Sequence, residues 1–207
     1  MNLKENFVIT IGRQFGTGGH EIGATIAKQL NVKLIDKQIL KALSAKFNVS
    51  EQDVAKLERR RPSWWDDFAQ FYKGFAEYNE YNGSQQDITS RQIYTAQISA
   101  MKEIASRESC VIIGRCGFDA FKDHPNKLSV FLHSGLACRI ERICRIYNVT
   151  EEKARVMIED NDYTREVYTK SFTDKNRYDA RNYDLALDVS TLGIQGTIDF
   201  LLGMLRL

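Results

Sequence analysis

Phe7-Val8-Ile9-Thr10-Ile11-Gly12-Arg13-Gln14-Phe15-Gly16-Thr17-Gly18-Gly19-His20-Glu21-Ile22-Gly23 is the stretch whose reading decides the fold. It begins as an apolar, β-branched run and breaks into glycines. It then opens into Ala24-Thr25-Ile26-Ala27-Lys28-Gln29-Leu30, where apolar residues recur at helical spacing. A strand, a glycine loop and a helix in that order aim backbone N–H groups and a helix N-terminus at an anion. Gly16, Gly18 and Gly19 admit positive φ and let a ligand approach the main chain closely. A bare βα turn requires fewer glycines than the four that fall between Gly16 and Gly23.

Outward from this stretch, short apolar runs alternate with helical patterns. Val32-Lys33-Leu34-Ile35-Asp36 reads as a second strand ending in an acid, and Lys37 to Phe47 as a helix. Ser50-Glu51-Gln52-Asp53 reads as the cap of a short helix that Pro62 follows. Trp64 to Tyr72 has the spacing of an amphipathic helix, and Gly74 to Asp87 lacks periodicity and is expected to be a mobile loop or lid. A longer helix is expected from Thr89 to about Arg107. Cys110-Val111-Ile112-Ile113 and Lys127-Leu128-Ser129-Val130-Phe131-Leu132 read as buried strands, the first running into Gly114-Arg115. Ser134 is the expected cap of the helix bearing Arg139, Arg142 and Arg145, and Thr150-Glu151-Glu152 the cap of the next. Tyr183 to Val189 is the last strand, and Ile194 to Leu207 a closing amphipathic helix.

This alternation predicts a three-layer α/β fold with a mainly parallel five-stranded sheet and the first strand central. Ligands bind such sheets beyond the strand C-terminal ends, which gathers the glycine loop, Asp36, Arg115 and the helix after Ser134 around one cleft. The 207 residues suit a single domain over 1–207, with a core at about 1–47 and 109–207 and a helical insertion at about 48–108.

Composition narrows the function. A formal net charge of +2, from 29 basic and 27 acidic residues, argues against a general nucleic-acid surface. No apolar run is long enough to span a bilayer, so no membrane partner is expected. The N-terminal residues do not read as a signal peptide, and the four cysteines form no C-x-x-C pair. The expectation is a cytoplasmic protein with reduced thiols and no protein-held metal. A homo-oligomer is compatible with these features.

Arginines are the candidate chemistry: Arg13 in the loop, Arg115 at a strand end, Arg139 and Arg142 one helical turn apart, and Arg165. Phosphoryl transfer asks mainly for positioning and for positive charge around the transferring group. Asp162 and Arg165, three apart, point the same way on a helix; they suit either a solvated helix with a local ion pair or a closing lid. The phosphate-binding pattern G-x-x-x-x-G-K-[ST], set with Gly18 as its second glycine, places Arg13 at the first glycine, Gly19 at lysine and His20 at Ser/Thr. Arg13 is then the nearest cation able to fold back toward the phosphates.

Taken together, these residues resemble the cytidylate kinase-like proteins among the P-loop nucleoside monophosphate kinases. The likeness runs through Ile9 to Gly19, Leu34-Ile35-Asp36, Ile112-Ile113-Gly114-Arg115, Val130-Phe131-Leu132, Arg139-Ile140-Glu141-Arg142 and Tyr183 to Asp188. It implies ATP and Mg²⁺ as cofactors and small-molecule nucleotides as partners. Gly12, Arg13, Gly16, Thr17, Gly18, Gly19, His20 and Glu21 would lie at the donor phosphates, and Arg115, Arg139, Arg142 and Arg165 would carry catalysis. Asp36, Arg115, Asp162 and Arg165 would contact the acceptor. The chain departs from the family pattern where Gly19 replaces the lysine, Ile113 and Cys116 replace acids beside Gly114-Arg115, and Ile158 replaces a lid arginine.

The resemblance implies ATP-dependent phosphorylation of CMP or dCMP, which needs no protein base because the acceptor phosphate is already anionic. Two other readings stay open. One is a nucleotide-binding or regulatory protein with little turnover. The other is a kinase of a different small phosphorylated or hydroxylated acceptor, with Asp36 as the strand-end carboxylate.

Overall fold

Five apolar segments pair into one all-parallel sheet: β1 (Val8–Arg13), β2 (Lys33–Ile35), β3 (Cys110–Ile113), β4 (Lys127–His133) and β5 (Leu185–Asp188). Their order is β2-β3-β1-β4-β5, so the strand before the glycine loop is central. It pairs with β3 from Val8↔Cys110 to Ile11↔Ile113 and with β4 from Val8↔Lys127 to Arg13↔Leu132. The computed structural model describes residues 1–36 and 85–205. The chain divides into two compact units, Met1–Asp36 with Lys102–Leu207, and Lys37–Met101. The sheet and the candidate site belong to the first.

A parallel sheet is stable only when both faces are covered. Ile9, Ile11, Val111, Ile113, Val130 and Leu132 project from one face. They meet Ile22, Ile26 and Ala27 of α1 (Gly19–Gln29) and Ile198, Leu201, Leu202 and Leu205 of the last helix. Each large side chain buried here contributes roughly 1.5–3 kcal/mol. On the other face Thr10 Oγ1 and Ser129 Oγ share a buried hydrogen bond of 2.6 Å. Gly117 approaches Thr10 so closely that an added Cβ would stand 3.2 Å from the threonine side chain.

Among the described residues the other α-helices are α2 (Gln85–Arg107), the one-turn α3 (Gly117–Ala120), α4 (Leu136–Tyr147), α5 (Glu151–Thr173) and α6 (Val189–Leu205). Thr150 caps α5 as expected, its Oγ1 accepting from the Lys153 N–H at 3.3 Å. Several boundaries differ from the sequence reading. Helix α2 begins at Gln85 rather than Thr89, because Gln85 and Gln86 are good helix formers and Asp87 suits a first turn. Gly135, not Ser134, precedes α4, and the Ser134 N–H donates instead to Gln14 Oε1 at 3.1 Å. The closing helix starts at Val189 and breaks at Gly193, whose φ is 69°. The expected helices over Lys37–Phe47, Ser50–Arg61 and Trp64–Tyr72, and the expected loop over Gly74–Ser84, lie outside the described residues.

Candidate functional site

The glycine loop is built to leave its donors open. Gly16 and Gly18 take φ of 86° and 77°, and Gly18 caps α1 without a side-chain hydrogen bond. Thr17, buried, turns its hydroxyl inward to donate to the Gln14 carbonyl at 3.0 Å. Among the described residues, the six consecutive N–H groups from Gly16 to Glu21 donate to no protein acceptor, and regular α1 bonding begins with Ile22 N–H to the Gly18 carbonyl at 3.0 Å. Such a row of unpaired donors at a helix N-terminus attracts a polyanion. Gly12 stands apart from this row. It lies within β1, where an added Cβ would come 3.0 Å from Phe131 and 3.1 Å from Tyr183, so its bareness serves ring packing rather than phosphate binding.

Buried arginines hold the loop's carbonyls. Arg165 Nη1 and Arg177 Nη2 donate to the Arg13 carbonyl at 3.1 and 2.5 Å, and Arg139 Nη1 reaches the Phe15 carbonyl at 3.4 Å. Asp162 completes the lattice. Its Oδ1 accepts from the Phe15 N–H at 2.9 Å, its Oδ2 from Arg139 Nη1 at 2.6 Å, and Arg165 Nη1 lies 4.0 Å away. Arg177 Nη1 also donates to the Asp162 carbonyl at 3.3 Å, and its guanidinium carbon sits 5.8 Å from the Phe131 ring centre. Charge-assisted bonds of this kind offset part of the cost of desolvating the guanidinium groups. Asp162 and Arg165 lie in one unbroken helix, α5, with these polar contacts made to the loop. Arg142 differs: it sits at the loop's rim, paired with Glu21 at 2.6 Å, and an added Cβ on Gly18 would meet its guanidinium carbon at 3.2 Å.

Arg177 escaped the sequence reading altogether. It falls in Asp174-Lys175-Asn176-Arg177-Tyr178-Asp179, a polar run with no periodicity to announce a buried side chain. The Arg177 carbonyl accepts from the Tyr183 hydroxyl at 2.8 Å, which ties this run to the rings over Gly12.

The second half of the site stands at the C-terminal ends of β2 and β3. Gly114, Arg115 and Cys116 follow one another at φ of 73°, 54° and 54°. Left-handed backbone costs a non-glycine residue about 1–3 kcal/mol, so Arg115 and Cys116 are held there by their surroundings. The Gly114 N–H bonds to the Ile11 carbonyl at 3.0 Å, and the Gly117 N–H to the Gly114 carbonyl at 2.9 Å. The result turns the chain sharply off the sheet and leaves Arg115 half-buried, with no hydrogen bond or ion pair among the described residues. Cys116 is buried, and its thiol is pushed up to about 12, chiefly by burial, so it stays protonated.

Asp36 follows β2 and meets His20 Nε2 at 3.0 Å. Burial alone would raise its carboxyl. The His20 hydrogen bond and the fields of Arg13, His20 and Arg115 overcome that and hold it below the usual aspartate range. Asp36 is therefore ionised and weakly basic. Among the described residues no three His, Cys, Asp or Glu side chains converge on a point. Mg²⁺ bound with a nucleotide takes phosphate oxygens and waters plus one or two carboxylates, and Asp36 fits as that single carboxylate. His20, at the hydroxyl position of the phosphate-binding pattern, pairs with Asp36 and has no side-chain oxygen to offer a metal.

Beside the loop, at the ends of β4 and β5, lies a cavity of about 510 Å³ walled by Phe131, Tyr178 and Tyr183, with Gln14, His133 and Asp188 among its polar groups. Aromatic walls with a few polar groups suit a flat heterocycle. The sequence-predicted residues thus fall into three places. Gly16 to Glu21 with Arg142 form the cradle; Arg139, Asp162 and Arg165 brace it; Arg13, Asp36 and Arg115 meet at the strand ends.

The family described as cytidylate kinase-like matches residues 8–191. No curated protein matches the chain. Among solved structures, an uncharacterized protein from Eubacterium ventriosum aligns with 24% identity and a TM-score of 0.71 over 98% of this chain and 99% of that one. TT1252 from Thermus thermophilus aligns with 14% identity and a TM-score of 0.53 over 97% and 98%. A shikimate kinase from Bacteroides thetaiotaomicron aligns with 15% identity and a TM-score of 0.50 over 97% and 99%. At these identities the likeness is one of fold.

Proposed function

The chain belongs to the cytidylate kinase-like family, and from that premise we propose that it transfers the terminal phosphoryl of ATP to a nucleoside monophosphate, CMP or dCMP. The observation that carries this reading is the row of six open N–H groups from Gly16 to Glu21, a cradle sized for several phosphate oxygens. The donor's chain of phosphates lies along it, with Arg142 at the rim. The aromatic cavity beside Gln14 receives the donor's base. Arg115, projected by the left-handed turn after β3, faces the acceptor phosphate.

Asp36 decides between acceptors. A hydroxyl acceptor needs a base to take its proton. The carboxylate here is held below its ordinary range by His20 and two arginines, which weakens it as a base. A phosphate acceptor needs none, and this supports the monophosphate over a simple alcohol. Electrostatic stabilisation of the transferring group then does most of the chemistry.

A coupled ADP-release assay with ATP, Mg²⁺ and a panel of nucleoside monophosphates tests the proposal. ADP release that depends on CMP or dCMP is the expected result. ATP binding without turnover on any monophosphate would replace the proposal with a nucleotide-binding role.

A further inference from the structure

Gly19, at the position of the phosphate-binding lysine, is not simply bare. A Cβ built on it would stand 2.9 Å from both Cβ and Cγ of Arg13, so the Arg13 stem already fills the space a side chain at 19 would enter. The same arginine ends over Gly114, where an added Cβ would come 2.1 Å from its Nη1. One side chain therefore runs from the first residue of α1 to the end of β3, over two residues that are both glycine. A lysine at 19 and Arg13 in this conformation exclude each other. Its root is fixed as well, since the Arg13 carbonyl is gripped by Arg165 and Arg177.

We infer that Gly19 and Gly114 form a passage through which β1, rather than α1, supplies the cation for ATP's terminal phosphoryl, and that Arg13 is this cation. The inference rests on the proposed kinase reading and adds a residue and a selectivity to it. The guanidinium lies on the side of the cradle facing Asp36, whose carboxyl feels its field, and Arg115 follows Gly114 directly. Arg13 thus stands between the donor cradle and the strand end where the acceptor's anion is placed. A planar, permanently charged fork fits oxygens of two neighbouring phosphates better than a single ammonium. With its main chain held by Arg165 and Arg177 and its stem running over Gly19, it needs little reorganisation when the ligand arrives.

Calorimetric titration of AMP-PNP and of ADP into the wild type, Arg13→Ala and the double variant Arg13→Ala/Gly19→Lys tests this. Arg13→Ala should weaken AMP-PNP by about tenfold to a hundredfold, with ADP changed by less than about threefold on the same scale. The double variant, which moves the cation back onto α1, should regain at least about tenfold for AMP-PNP. Equal losses for the two nucleotides in a folded Arg13→Ala, checked by its melting curve, would make Arg13 a loop brace and overturn the inference. So would a folded double variant with no recovery. Wild-type protein that binds neither nucleotide would overturn the kinase reading and the inference together. Selective loss of AMP-PNP without CMP turnover would sink only the CMP reading.

Discussion

The arginines around the glycine loop and those at the end of β3 are the same residue in opposite service. Arg139, Arg165 and Arg177 are 8%, 8% and 5% exposed and spend their donors on loop carbonyls and on Asp162. Arg115 is half-buried on strained backbone and makes no hydrogen bond or ion pair among the described residues. A buried guanidinium cannot swing to a ligand without orphaning the carbonyls it satisfies, whereas a half-exposed one at a strand end is already aimed. The first group shapes the loop's backbone; in the proposed reading the second is the one that meets an anion directly. Position in a family-like motif does not distinguish these roles, but the identity of the acceptor atom does.

Breaking the brace should have the largest effect. Asp162→Ala leaves Arg139 buried beside a lost counter-charge, and removal of one partner from a buried pair costs about 3–5 kcal/mol. Urea unfolding of the variant should show a midpoint shift of that size, and a shift below about 1 kcal/mol, the scale of an exposed pair, would erase the contrast. Next comes Arg115. Arg115→Ala should weaken the acceptor by about 1.5–3 kcal/mol of binding while leaving the fold intact. Arg115→Gly sharpens the point, because glycine tolerates the 54° φ. That variant should melt no lower than wild type and still bind acceptor as poorly as Arg115→Ala. A fall in stability with unchanged acceptor affinity would move Arg115 into the bracing group. The smallest effect belongs to Arg142, whose Glu21 partner is largely exposed. Arg142→Ala should change stability by about 0–1 kcal/mol, so any sizeable loss in its titration with ATP would come from the ligand.

Much of this was legible in the residues. The β-branched runs at Val8–Ile11, Cys110–Ile113 and Leu128–Leu132 announced strands buried on both faces, and their alternation with helices announced parallel pairing. The cradle showed in its glycines, and Arg115 in its place after an apolar strand. Other features left no trace. Helical spacing put Arg139 with Arg142 and Asp162 with Arg165 on shared helix faces, yet a guanidinium looks the same in sequence whether it meets a carbonyl or a phosphate. Arg177 sits in a run that reads as a solvated turn. Positive φ is usually signalled by Gly, Asn or Asp, so Gly114-Arg115-Cys116 disclosed one left-handed residue and hid two. Gly193 looked like an ordinary helix-flanking glycine in an apolar stretch, and only the fold reveals that it splits α6.

That split carries a consequence for how the protein is made. Past Gly193, Ile194 reaches the loop so closely that an added Cβ on Gly18 would lie 2.8 Å from its Cδ1. Among the described residues, the side chains that hold the loop's main chain also come late, from Arg139, Asp162, Arg165 and Arg177. The glycine stretch leaves the ribosome well before its strand partners, which begin at Cys110 and Lys127, and before Ile194. A nascent chain stalled before Cys110 carries the whole glycine motif but neither its strand partners nor these clamping side chains. Such an apolar strand, exposed while its partners are still untranslated, is a natural client for a chaperone. The proposed nucleotide binding, followed on a translating ribosome, should therefore register the synthesis of these later strands and clamps rather than that of the glycine motif.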